Sequence, residues 1–281
     1  MEIFEKIVTP DRLRLWTQGD DLLCGFVARA GDTGWAHTAS DLLEAHGYSS
    51  SDQDALDGEH VDVLRFRSAG ITFVSATGEG GEGFRGLPPF TGTGFAPTAR
   101  GLVPLWWVDP TRVPPGSELW RVHSDGREEF LAVYANVASG WQPGHGDALP
   151  SDVCGRFARW DGIPMLADTL EDGRIVIASY TPVDGAKLTE RRLWARVIDA
   201  DLVDQPYVLK LTADVGGLTF QVVRRWNDGT RTLARLVYVG RDAPRAEAAG
   251  LERMDVGVYE TTVAVDELTN LRGEELVPSR A

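Results

Sequence analysis

The sequence predicts a mainly β (α+β) protein with an N-terminal mixed α/β domain followed by two tandem small SH3-like β-barrel repeats. Three observations predict it: short apolar segments that alternate with polar residues, Gly-, Pro- and Asp-Gly turns between them, and an approximate internal repeat in the second half. At 281 residues the chain is long enough for more than one domain. We expect boundaries that divide it into residues 1–150, 151–210 and 211–281.

The first 75 residues combine helix and strand signals. Residues 38–47 predict a short helix, with a hydroxyl cap at Thr38, an early acid, two Leu and a terminating Gly47. The segment His60–Arg67 alternates strictly between apolar and polar residues, and Ser-Ala-Gly then leads into the apolar residues 71–74. This pattern predicts a hairpin.

Residues 77–101 are rich in Gly, Pro and Thr, which predicts a long loop. Strands resume at residues 103–108, and residues 118–123 and 129–134 flank Ser-Asp-Gly, which predicts a second hairpin. Gly and Pro then punctuate residues 138–149, and this composition favours a domain boundary there.

The second half contains two similar series of turns and strands. Residues 159–180 correspond to residues 214–238, with Gly162 matching Gly217. We interpret residues 152–271 as two barrel units, because a small sheet buries its edges by curling closed. Gly173 and Gly229 are expected in equivalent type I′ hairpin turns. A chance pair of similar hairpins is the alternative.

Composition limits the classes of partner. A net charge of −14 disfavours binding to nucleic acid or anionic lipid, whereas a basic protein partner suits it. No basic and apolar secretory leader is visible, and Pro104 interrupts the longest apolar stretch, so we expect a cytoplasmic protein without a membrane span. Cys24 and Cys154 are expected to be separate reduced thiols.

No catalytic, metal or cofactor site can be assigned from motifs. Residues 81–86 match G-x-G-x-x-G, but Leu-Pro-Pro follows, which is incompatible with the helix start that a dinucleotide site needs. The five His and two Cys have no metal-ligand spacing. Arg121 is interpreted as a cross-strand partner within the second hairpin, and acidic pairs such as Asp20 and Asp21 carry no assignment without geometry.

Three stretches, residues 155–162, 237–251 and 257–268, resemble a group of actinobacterial proteins that act as immunity partners of secreted NAD-glycohydrolase toxins of the necrotizing-toxin type. The resemblance implies a non-enzymatic binding protein that neutralises a toxin by occluding its active cleft. It transfers no functional residue. The alternative is an enzyme or nucleotide-binding protein with a site in the first 150 residues.

The loop at residues 78–95 is the predicted partner-binding surface. Exposed aromatic side chains among Gly and Pro are typical of binding loops, and carboxylates there suit a basic cleft on a toxin domain. A connector whose Phe side chains fold back on the body is the alternative. The predicted contact residues are Glu79, Glu82, Phe84, Arg85 and Phe90, followed by Trp141 and His145.

Overall fold

The computed structural model describes residues 2–48, 59–67, 73–75, 94–144 and 146–277. Within these residues the protein is mainly β, as predicted, and its strands form two antiparallel sheets. The first sheet forms between Ile3 and Gln142, and the second between Gly155 and Leu276. The segment that was predicted as a boundary therefore lies where the chain passes from one sheet to the other.

The first sheet contains nine strands among the described residues, in the order β4-β6-β2-β1-β3-β7-β8-β9, with β5 paired to β6. Its strands are β1 (Ile3–Val8), β2 (Leu22–Arg29), β3 (His60–Arg67), β4 (Phe73–Ser75), β5 (Phe95–Thr98), β6 (Gly101–Arg112), β7 (Ser117–His123), β8 (Glu128–Asn136) and β9 (Gly140–Gln142).

Two short helices accompany this sheet. Helix α1 (Pro10–Thr17) begins after Thr9, whose hydroxyl accepts a hydrogen bond from the Arg12 amide, and Pro10 suits the first helical position. Helix α2 (Ala39–Ala45) begins at Thr38 with a capping box. Gly47 follows it with a φ of 72°, which confirms the predicted helix and its end.

One predicted hairpin is confirmed and the other is wrong. Strands β7 and β8 form the predicted antiparallel hairpin around Gly126. Strands β3 and β4 do not pair with each other: β1 and β7 occupy the two edges of β3, and β4 pairs with β6. Both faces of β3 are buried, with Val61 and Val63 in one apolar cluster and Leu64 and Phe66 in another. The sequence pattern predicted the strand but not its partner, because periodicity does not specify which strand lies beside it.

The second sheet follows the order β13-β14-β12-β11-β10-β15-β16-β17-β19-β18, with β20 paired to β15. Helix α3 (Ala243–Ala248) and two single turns of 3₁₀ helix, Ala200–Leu202 and Val265–Glu267, lie between strands. The strands are β10 (Gly155–Trp160), β11 (Ile163–Thr169), β12 (Ile175–Ser179), β13 (Lys187–Leu188), β14 (Trp194–Ile198), β15 (Tyr207–Val215), β16 (Leu218–Asn227), β17 (Thr232–Tyr238), β18 (Glu252–Asp255), β19 (Val258–Ala264) and β20 (Thr269–Leu276).

The two parts of this sheet have the same strand order when each is read outward from its first strand. β10, β11, β12, β14 and β13 follow one another on one side, and β15, β16, β17, β19 and β18 on the other. The first hairpin of each part turns through two residues with positive φ, at Asp161-Gly162 and at Gly216-Gly217. Positive φ at both central positions is the type I′ arrangement.

Gly173 and Gly229 lie in the next hairpin turn of each part, between β11 and β12 and between β16 and β17, as predicted. The expected turn type is wrong. Gly173 and Gly229 have φ values of 83° and 97°, whereas the preceding Asp172 and Asp228 are not in the positive-φ region. A longer loop therefore places one residue, and not two, in the left-handed conformation.

The strand pairing of the described residues closes no barrel, contrary to the prediction of two barrels. The two parts pair with each other at their inner edges. The N-terminal part of β15 pairs with β10, its C-terminal part pairs with β16, and β20 lies along its other edge. At the outer ends of the described sheet, β13 and β18 each pair with one strand.

The largest apolar core is shared by both sheets. Phe26 and Trp107 of the first sheet belong to the same buried cluster as Phe220, Val237 and Tyr259 of the second. The Phe26 and Trp107 rings meet edge to face with centroids 4.8 Å apart. Removing either half would expose this cluster to water, so we infer that the halves stabilise each other.

The longest helix within the described ranges has eight residues, and none has the length and apolarity required to cross a membrane.

Candidate functional site

A cleft of about 720 Å³ opens where α1 and the segment before β10 meet β16–β19. We call it the arginine cleft. Five arginines and four acidic residues line it among the described residues, in a chain whose overall charge is −14. The arginines are Arg14, Arg192, Arg224, Arg225 and Arg235.

An ion-pair network that joins the two halves adjoins the cleft and contributes two of its lining residues. Arg235 donates through Nη1 to Asp20 at 2.6 Å and through Nε to Glu260 at 2.5 Å. Arg12 of α1 donates through Nη2 to Glu260 at 2.5 Å and lies 4.0 Å from Asp20. Burial makes such a network costly unless every charge finds a partner, so its geometry fixes α1 against the second sheet.

The electrostatics of this network favour the ionised carboxylate. Burial alone would raise the pKa of Asp20, but the guanidinium groups of Arg235, Arg224 and Arg12 outweigh it and hold that pKa below its ordinary value of 3.8. For Arg12, burial opposes the charge, while Glu260 and Asp20 raise its pKa above the ordinary value. Asp20 and Arg12 therefore both carry their charges at neutral pH.

Arg224 and Arg235 lie opposite each other in the register of β16 and β17. Like charges that face each other across two strands destabilise the pair unless anions lie nearby. Arg224 donates through Nη2 to the Leu149 carbonyl, and Nη2 of Arg235 has no hydrogen-bond partner within the described part of the chain. The described lining as a whole carries five arginines and four acidic residues, so its positive charges exceed its negative charges by one.

The outer part of the cleft carries a second ion pair and two aromatic rings. Arg225 donates through Nε and Nη2 to Asp152 at 2.9 and 2.6 Å. Tyr180 and Trp226 also line the cleft and are 41% and 37% exposed. The Tyr180 hydroxyl donates to the Pro150 carbonyl at 2.6 Å, and burial raises its pKa, so the ring is fixed and neutral.

Two further buried networks join the halves away from the cleft. Arg191 donates to Asp21 at 2.8 Å, and the same carboxylate accepts a hydrogen bond from Tyr134 at 2.9 Å. Asp168 accepts from Arg112 at 3.3 Å and from Arg156 at 2.8 Å. Asp20 and Asp21, adjacent in sequence, thus hold two different arginines of the second half.

Of the predicted binding residues, Trp141 is the one that lies within the described ranges. Trp141 is corrected: it is only 3% exposed, its ring lies 5.0 Å from that of Trp16, and its Nε1 donates to the Asp20 carbonyl. Its side chain belongs to the buried core and is not exposed to contact a partner. The other predicted residues lie outside the described ranges: Glu79, Glu82, Phe84, Arg85, Phe90 and His145.

Arg121 has a cross-strand partner on each side. It donates through Nε and Nη2 to Asp62, its register partner on β3, at 2.9 and 3.1 Å. Within the hairpin it lies opposite Glu129 of β8, as expected. Cys24 and Cys154 are free and buried, as predicted. Burial raises the pKa of Cys24 to about 11 and that of Cys154 to about 12, so neither supplies a thiolate at neutral pH.

Sequence reasoning missed the arginine cleft. The available signal was Arg224-Arg225-Trp226, two cations and an aromatic ring at the end of a strand of the second repeat. The Asp20-Asp21 pair is visible in the sequence, but its arginine partners in the second half are 170 and 215 positions away along the chain. Within the described residues no group of three or more His, Cys, Asp or Glu is arranged to hold a metal ion.

Comparisons with protein-family models, curated proteins and solved structures found no match to this chain.

Proposed function

We propose that this protein acts by binding a partner and that it catalyses no reaction. The net charge of −14 is the observation that carries the proposal, and the composition of the arginine cleft is consistent with a binding role. Guanidinium groups remain charged at all physiological pH values and recognise anions without transferring protons. The carboxylates beside them, Asp152 and Glu260, are held in ion pairs with Arg225 and Arg235. Guanidinium groups and carboxylates arranged in this way recognise the charge and the shape of a binding partner.

The partner that we propose is a protein, and the specific role is that of an immunity protein that occludes the active cleft of a toxin. The net charge of −14 supports a partner with a basic cleft, because opposite potentials speed association. The proposal that this partner is a toxin is supported by a resemblance to immunity proteins, which covers residues 155–162, 237–251 and 257–268. In this proposal the acidic loop at residues 78–95 enters the toxin cleft.

The cytoplasm is the proposed location, since two free buried thiols suit a reducing compartment. We also propose that residues 152–271 descend from a duplicated unit, with a division near residue 210. The shared strand order and the matching turns at Gly162 and Gly217 support this origin.

Co-expression tests the immunity role. The protein is produced together with a secreted NAD-glycohydrolase toxin encoded beside its gene, and a catalytically inactive toxin serves as the control for copurification. We expect cell NAD to be preserved and the two proteins to copurify. Unchanged NAD loss without copurification would reject the immunity role.

A variant pair locates the contact. Replacing Glu79 and Glu82 with Gln is expected to weaken toxin affinity by more than about tenfold, since two charges facing a basic cleft are lost. Replacing the exposed Glu171 and Asp172 of the β11–β12 turn removes the same charge and is expected to leave affinity unchanged. Equal affinities for both variants would move the interface away from the loop.

A further inference from the structure

The arginine cleft has the size and lining of a small-molecule site. Its volume of about 720 Å³ lies within the range of roughly 300–1,000 Å³ that is usual for ligand pockets. A protein partner docking through a loop does not need such a concavity. The cleft therefore calls for an account of its own, independent of the partner proposed above.

Charge in the cleft points to an anionic ligand. Arg224 and Arg235 face each other across β16 and β17, and the described lining carries five arginines against four acidic residues. Nη2 of Arg235, a buried atom, has no hydrogen-bond partner among the described residues, and Arg224 gives one donor to the Leu149 carbonyl. Planar guanidinium groups with spare donors match the oxygens of a phosphate.

The aromatic rings in the same cleft point to a planar group on that ligand. Trp226 lies two residues beyond Arg224 on β16, and side chains at this spacing project from the same face of a strand. Tyr180 is held by its hydrogen bond to Pro150. An exposed indole beside arginines offers a stacking surface for a heteroaromatic ring.

We propose that the arginine cleft binds a nucleoside phosphate. Its phosphate accepts hydrogen bonds from Arg224 and Arg235, and its base stacks on Trp226. Three of the four acidic residues in the cleft lining are near arginines: Asp152 pairs with Arg225, Glu260 with Arg12 and Arg235, and Asp147 lies 3.9 Å from Arg192. Glu252 is the acidic residue of the lining that opposes a phosphate.

Calorimetric titration of the full chain with AMP and ADP tests the proposal. Pyrophosphate and adenosine are titrated separately, to measure what the phosphate and the base each contribute to binding. We expect saturable binding of one nucleotide per chain, with higher affinity than that of pyrophosphate or adenosine alone. Arg224→Gln and Trp226→Ala are each expected to weaken it about tenfold or more. Arg127→Gln, an exposed arginine at the β7–β8 turn, is the matched control and is expected to bind normally.

Absence of saturable nucleotide binding would overturn the proposal, as would binding that both cleft variants leave intact. Pyrophosphate binding as tight as that of ADP, unaffected by Trp226→Ala, would overturn the role of the base. Circular dichroism of each variant establishes that it is folded. Trp226→Phe keeps a ring at the exposed position, and its expected recovery of affinity separates stacking from a structural role.

Discussion

Among single residues, Asp20 connects the two halves through its side chain. Its carboxylate accepts a hydrogen bond from Arg235 of β17, and its carbonyl oxygen accepts one from the buried Trp141 indole. A sequence pattern cannot identify such a residue, because exposed and buried aspartates look the same along the chain. Trp141 was mistaken for a surface residue for the same reason: its Gly- and Pro-rich neighbourhood suggested a loop, and distant contacts bury it.

We expect Asp20→Asn to lower the free energy of unfolding near pH 7 by about 3 kcal/mol, because a buried arginine loses its charged partner. The pKa of Asp20 is lowered in the folded state, so its stabilisation is present above the ordinary value of 3.8 and is lost as pH falls through the lowered value. Urea unfolding of both proteins at several pH values therefore measures a difference that shrinks below about pH 4.

The matched control for this measurement is Asp11→Asn. Asp11 is exposed and pairs with Arg14 at 3.4 Å on the surface of α1, so its replacement is expected to cost less than about 1 kcal/mol. Equal losses for the two variants, or a difference for Asp20→Asn that persists undiminished into acid, would contradict the role assigned to Asp20.

At the scale of elements, the sequence correctly predicted the features that depend on neighbouring residues alone. The Thr38 cap, the β7–β8 hairpin and the hairpin turns at Gly173 and Gly229 all follow from short-range signals. The β3–β4 hairpin failed because pairing depends on which edges the rest of the sheet leaves open. The barrel prediction failed similarly, since β15 pairs with both β10 and β16 and so joins the two parts in one sheet.

The type I′ turn at Gly217 gives an element-scale prediction. Gly217 has a φ of 76° and nothing near its missing side chain, so Gly217→Ala introduces backbone strain without a steric clash. We expect a loss of about 1 kcal/mol in the free energy of unfolding. Gly31→Ala is the control, because Gly31 also faces open space but is not in the positive-φ region. Identical urea midpoints for the two variants would contradict the turn assignment.

At the scale of the whole molecule, the halves are interdependent. The largest core takes Phe26 and Trp107 from one sheet and Phe220 from the other, and buried ion pairs such as Arg191–Asp21 and Arg112–Asp168 cross between them. The arginine cleft takes its lining from positions that range from Arg14 to Thr262. A site gathered across such a span could not be predicted from the sequence, because no local pattern records which distant residues meet.

The central claim is that both sheets form one folding unit and that the cleft exists only when they are joined. Equilibrium urea unfolding, followed together by tryptophan fluorescence and far-ultraviolet circular dichroism, tests it most directly. Because the shared core and the buried ion pairs are lost when either half unfolds, we expect one cooperative transition that coincides for both probes. Two transitions with separate midpoints would show that the halves unfold independently and would contradict the account.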